Sequence, residues 1–123
     1  MKYQKDIKVW TLDFAISIVK ISMVLKKAKI DFDIIDQIRR SGTSVGANVR
    51  EAKSSVSKKE LIKFYSIALK SANETDFWFE VITKGYDYKS EEFNNCWEEL
   101  KQIEKVLAKI ILNLKVEKTS QID

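Results

Sequence analysis

At 123 residues the chain fits one domain, large enough to bury roughly two-thirds of its unfolded surface without a disulfide or metal. Its composition, 45% hydrophobic and 33% charged, is that of a soluble globular protein and excludes intrinsic disorder. With no Pro and three Gly, little in the chain breaks a helix, and with no His, His-based metal sites and His general bases are excluded.

The lone cysteine, Cys96, has no intrachain disulfide partner and points to a reducing compartment. Beside Trp97 in a helical segment it reads as a buried thiol, because a reactive cysteine needs exposure and a nearby cation or base. Met1 to Asp6 has no signal-peptide core, and Lys20, Lys26 and Lys27 interrupt the best apolar run. A soluble cytoplasmic protein without membrane association is expected. The net charge of +4 is uneven, +7 over residues 1–59 against −3 over 60–123, which leaves an anionic partner open.

Taken in chain order, apolar spacing predicts four helices and one domain over 1–123, with an N-terminal arm over 1–10 and a flexible tail over 117–123. The first helix is placed at 11–29. Phe14, Ile18, Ile21 and Leu25 form one stripe, and Leu12, Ala15, Ile16, Val19 and Met23 form another on nearly the opposite side. A helix on the outside of a monomeric bundle would be polar on its second side. Asp33 is the expected N-cap of the next helix.

The second helix, 34–56, carries a seam of 3- and 4-residue steps through Ile35, Ile38, Gly42, Val45, Val49, Ala52 and Val56. Gly inside a helix costs roughly 1 kcal/mol relative to Ala, so Gly42 and Gly46 suggest close helix approach. The third, 58–84, opens with the capping box Ser57-Lys58-Lys59-Glu60. Its core stripe is Leu61, Tyr65, Ala68, Ala72, Phe79 and Ile82; a second stripe holds Phe64, Ile67, Trp78 and Val81. Gly85 is its expected stop.

The fourth helix, 91–116, follows Ser90 as N-cap. Phe93, Trp97, Leu100, Ile103, Leu107, Ile110 and Leu114 make its stripe, and the polar tail beyond is expected to fray. Short connections make neighbours antiparallel. The fold class is all-α, an up-down-up-down four-helix bundle, whose surplus apolar faces on helices 1 and 3 mark an interface between copies.

Chemistry is sparse. Glu51, Glu74, Asp76 and Glu80 offer carboxylates, but ferritin-like di-metal sites need Glu-x-x-His pairs, and no phosphate loop follows Gly42 or Gly46. No catalytic residue, metal or cofactor is expected. The most specific polar pattern lies on helix 2. Arg40, Ser44, Asn48 and Glu51 share a face and, with Glu74, are read as a structural polar network, Arg40 pairing to Glu51 or to a carboxylate elsewhere. Arg39, Arg50 and Lys53 suit an anion-binding surface, joined by Lys58 and Lys59 at the 2–3 turn and by Lys26 and Lys27 at the end of helix 1.

Val9-Trp10, Gln37-Ile38-Arg39-Arg40, Ser44-Val45, Asn48-Val49-Arg50-Glu51, Ser57-Lys58-Lys59-Glu60, Phe64, Ala68 and Ser71-Ala72-Asn73-Glu74 follow one another in a familiar order. The chain resembles, over about residues 6–115, the bacterial four-helix bundle proteins encoded within intervening sequences of 23S ribosomal RNA genes. That family is similar to the accessory variability proteins of diversity-generating retroelements. The resemblance implies an up-down bundle and a homopentameric ring. For the retroelement relatives it also implies a basic surface that binds nucleic acid and a reverse transcriptase. The family usually has Gly after the motif Glu, where this chain has Ala52. The expected function is a non-enzymatic, oligomeric binding protein for RNA or DNA, or for a partner that handles it; the alternative is a scaffold that binds a protein through exposed apolar faces.

Overall fold

The structure, a computed structural model, describes residues 6–122, with side chains through Glu117. Four helices follow one another: α1 (Ile7–Lys27), α2 (Phe32–Lys53), α3 (Lys58–Gly85) and α4 (Glu91–Ile122). Among the described residues there is no strand. Each helix packs antiparallel on the next, and α1 closes the bundle against α4 through a lighter contact than those between consecutive helices. No described helix is long and apolar enough to cross a membrane.

The helix ends differ from expectation for local reasons. α1 begins at Ile7 rather than 11, because Asp6 caps it, accepting from the Lys8 N–H at 2.8 Å, and because Ile7 and Trp10 extend the buried stripe of Phe14, Ile18, Ile21 and Leu25. Residues 6–10 are therefore not an arm; residues 1–5 of that expected arm lie outside the described residues. α1 ends at Lys27, and Lys29 turns the chain in the left-handed region at φ 65°. Asp31, not Asp33, stands before α2. Its carboxylate accepts from the Tyr86 hydroxyl at 2.9 Å instead of capping the helix.

α2 stops at Lys53. The hydroxyls of Ser54 and Ser55 turn back to the Arg50 and Glu51 carbonyls, and Val56 is left in solvent. The Ser57 cap forms as expected, accepting from the Glu60 N–H at 3.1 Å, while the Glu60 carboxylate reaches the Val56 N–H. Gly85 is the last residue of α3 and keeps negative φ, so the left-handed turn falls on Asp87 at φ 52° instead. Ser90 caps the start of α4, accepting from the Phe93 N–H at 3.2 Å. That helix continues to Ile122, past the point where a tail was expected.

Trp10, Phe14, Phe79 and Phe93 are the largest fully buried side chains. Each contributes roughly 1.5–3 kcal/mol over leaving it in water. Phe79 and Phe93 meet at 4.6 Å between ring centres, which fixes α3 against α4. The Trp10 indole N–H donates to Glu99 of α4 at 3.1 Å. Between α2 and α3 runs a ladder of small hydroxyls: Thr75 donates to Ser41 at 2.9 Å, and Ser44 and Ser71 share a bond of 3.0 Å. Between α1 and α2 the glycines set the distance. A Cβ on Gly46 would stand 2.8 Å from the Thr11 carbonyl oxygen, and one on Gly42 would meet Ile18 at 2.7 Å.

Candidate nucleic-acid interface

The outer face of α1 is apolar where a solvated helix is polar. Its core stripe points inward, and on nearly the opposite side Leu12 (44% exposed), Ile16 (46%) and Met23 (61%) face solvent. Exposed Val9 extends the line, and Phe32 at the start of α2 adds a ring 67% exposed beside Met23. Contiguous exposed apolar surface of this kind is the mark of an interface.

α2 supplies cations along the border of this stripe. Arg50 lines a depression of about 300 Å³ with Leu12, Ala15 and Gly46; Arg39 lines a smaller one of about 160 Å³ with Met23, Phe32 and Lys26. Lys8, which sequence reasoning passed over, joins Arg50 in the first. Arg39, Arg50 and Lys53 are exposed and take no carboxylate partner among the described residues.

The expected basic residues do not form one cluster. Because the helices alternate in direction, Arg50, Lys53, Lys58 and Lys59 gather at the end of the bundle where α1 begins, and Lys26 and Lys27 sit at the other. Arg39 accompanies the latter, eleven residues and about 16 Å along α2 from Arg50. Lys58 is the least available, half-buried and bonded to Glu117 of α4 at 2.7 Å.

The expected polar network is corrected in its charged members. Arg40 is exposed and bonds Asp36, one turn away, at 2.8 Å; Glu51 is exposed and makes no contact with Arg40. A fork-shaped donor on an open helix face takes the carboxylate within reach at i−4. The neutral members do come together: the Asn48 amide donates to the Ser44 hydroxyl at 3.0 Å, and Ser44 meets Ser71. Glu74 lies outside the network and accepts from the Trp78 indole at 3.5 Å.

The carboxyl pair that does form joins Asp76 of α3 to Glu104 of α4. Burial, then a hydrogen bond and repulsion from Asp76, push the Glu104 carboxyl up to about 8. The Asp76 carboxylate also accepts from the Trp97 indole at 2.7 Å, and the Lys101 ammonium lies 4.5 Å from the Trp97 ring centre. Periodicity within one helix carries no sign of such a pair, since its members meet only when α3 and α4 dock. Cys96 is buried as expected beside the cleft between α1 and α4, and burial pushes its thiol up to about 12, so it stays protonated. Among the described residues no three His, Cys, Asp or Glu side chains gather as metal ligands.

Comparison with known proteins places this geometry. No curated protein matches the chain. It is similar to the crystal structure of a protein of unknown function from the S23 ribosomal protein family of Bacteroides thetaiotaomicron VPI-5482. The two are 37% identical, with a TM-score of 0.80 over 86% of this chain and 98% of that one. Residues 5–109 match the 23S rRNA-intervening sequence protein family. With most of its length matched and its helices arranged as in that crystal structure, the chain belongs to the 23S rRNA-intervening sequence protein family.

Proposed function

We propose that the protein is a non-enzymatic, self-associating binding protein that holds RNA or DNA by its phosphates. The observation that carries this reading is the pairing, on one face, of the solvent-exposed stripe of Leu12, Ile16 and Met23 with the unpartnered Arg39 and Arg50 on its border. Burying the stripe between copies removes apolar surface from water, and closed rotational symmetry repeats the bordering cations in every subunit. The family resemblance set out above is the ground for expecting five subunits, and the similarity it implies between that family and retroelement accessory proteins makes a nucleic-acid-handling protein such as a reverse transcriptase a further candidate partner.

Two features support the non-enzymatic reading. Cys96 is a buried, protonated thiol and Glu104 is tied to Asp76. Arginine offers a planar fork suited to phosphate, and such contacts hold the backbone without reading base edges. Filter binding against a set of RNAs and DNAs tests the proposal. Retention of several sequences with similar affinity is expected, reduced for all alike when Arg39, Arg50 and Lys53 are replaced by Ala. Retention of none, with self-association intact, would favour a scaffold that binds a protein through other exposed apolar faces.

A further inference from the structure

The net negative charge of residues 60–123 conceals Lys63 and Lys70, which continue along α3 a line of cations that starts at Lys59. Lys59, Lys63 and Lys70 are all exposed. At 100° per residue they fall within an arc of about 40° on the solvent side, and Phe77 continues the line. The four residues span about 27 Å at the helical rise. None of the three lysines has a carboxylate partner among the described residues. Of the acids near the line on the same helix, Glu80 is paired with Lys84 at 2.8 Å, while Glu60 accepts from the Val56 N–H and Glu74 from the Trp78 indole, and both keep their charge.

Phe77 has no role in the core. It is 56% exposed, while Phe79, two residues on, fills the interior. The Trp78 ring meets it edge-on at 5.1 Å, so the phenyl is braced on one side and open on the other. Lys63 is likewise braced, its ammonium 5.4 Å from the Phe64 ring centre.

We infer that this face of α3 is a track for single-stranded nucleic acid, with Lys59, Lys63 and Lys70 on the phosphates and Phe77 stacked on an unpaired base. The inference rests on the nucleic-acid reading above but assigns a different face and a definite form of ligand. A file of cations one residue wide follows one backbone. A base offers its π-face to a side chain only where it is unstacked, whereas a duplex keeps its bases stacked on one another. Aromatic stacking beside a cationic path is how sequence-tolerant single-strand sites are built, and the length available suits the short end of their range, about 4 nucleotides.

Fluorescence anisotropy of the full chain with labelled oligouridine, oligothymidine and a duplex of equal length tests this. Single strands are expected to bind more tightly than the duplex. Phe77→Ala should weaken single-strand binding roughly 5- to 150-fold, the effect of losing one stacked base, and Phe77→Trp should retain it. Replacing Lys63 and Lys70 together by Ala should flatten the log–log salt slope by about 1.4. Light scattering on each variant separates binding from assembly. Duplex bound as tightly as single strand would overturn the inference. So would Phe77→Ala binding normally while the triple Ala variant at Arg39, Arg50 and Lys53 does not, an outcome that leaves the broader nucleic-acid reading standing. A change of oligomer mass in Phe77→Ala would assign the ring to a subunit contact and also overturn it. Absence of any binding by the unmodified protein removes both readings.

Discussion

Gly46 decides how closely α1 and α2 approach. A methyl there would meet the Thr11 carbonyl oxygen at 2.8 Å, and backbone cannot rotate away as a side chain can. Gly46→Ala gains roughly 1 kcal/mol of helix propensity but must push two helices apart, an overpacking cost of typically 1–3 kcal/mol or more. A net loss of up to about 2 kcal/mol in denaturant melts is expected. Gly42→Ala should lose a comparable amount, since its methyl meets Ile18 at its branch point, 2.7 Å from Cγ1, and that side chain is fully buried and stiff at χ1. Arg40 and Glu51 illustrate what a helical wheel leaves out. They share a face but stand about 16 Å apart along the axis, and Asp36 is one turn away. Glu51→Ala should therefore change stability by less than about 0.5 kcal/mol, against a loss of several if it neutralised a buried arginine. Glu104 carries the pH dependence. Its folded value stands near 8, above that of an exposed carboxyl, so the native state keeps a proton that the unfolded state has lost. Its contribution is fully present below about pH 4.5 and is lost as pH rises through about 8. Thermal melts from pH 6 to pH 9 should show the midpoint falling, and Glu104→Gln should remove most of that fall.

At the scale of elements, α1 holds the clearest signal in the chain. Two apolar stripes on opposite sides are legible from spacing alone, and the structure assigns one to the core and leaves the other in solvent. The helix ends were less legible. Ile7 and Trp10 belong to α1 because the core continues under them, which only docking reveals; α2 ends where the Ser54 and Ser55 N–H groups bond carbonyls three residues back, a tightened last turn that apolar spacing does not register. The Ser57 and Ser90 caps were readable because their bonds lie within three residues. Asp76–Glu104 was not, because it spans two helices. If the outer stripe of α1 is the contact between copies, Leu12→Glu with Ile16→Glu should dissociate the oligomer. Both sites are solvent-exposed within one chain, so the variant should keep its helical circular dichroism. Light scattering coupled to size exclusion should show mass falling toward a single chain; an unchanged mass would place the contact elsewhere.

At the scale of the whole molecule, alternating helix direction decides which charges stand together. The sequence sets Arg39, Arg50, Lys53, Lys58 and Lys59 within 21 positions, yet the bundle gathers all but Arg39 at one end and sends Lys26 and Lys27 to the other. A single copy thus presents small groups of cations rather than a continuous field, and repetition around a symmetry axis would join them. Phosphate contacts of this kind release condensed counterions, which ties affinity to salt. The measurement that bears most directly on the proposed function is the affinity of the protein for RNA as a function of salt. A linear fall of log K against log salt is expected, with a slope of about −0.7 to −0.9 for each phosphate contact, shallower when Arg39, Arg50 and Lys53 are replaced by Ala. Undetectable binding at low salt, with light scattering showing the oligomer intact, would contradict it.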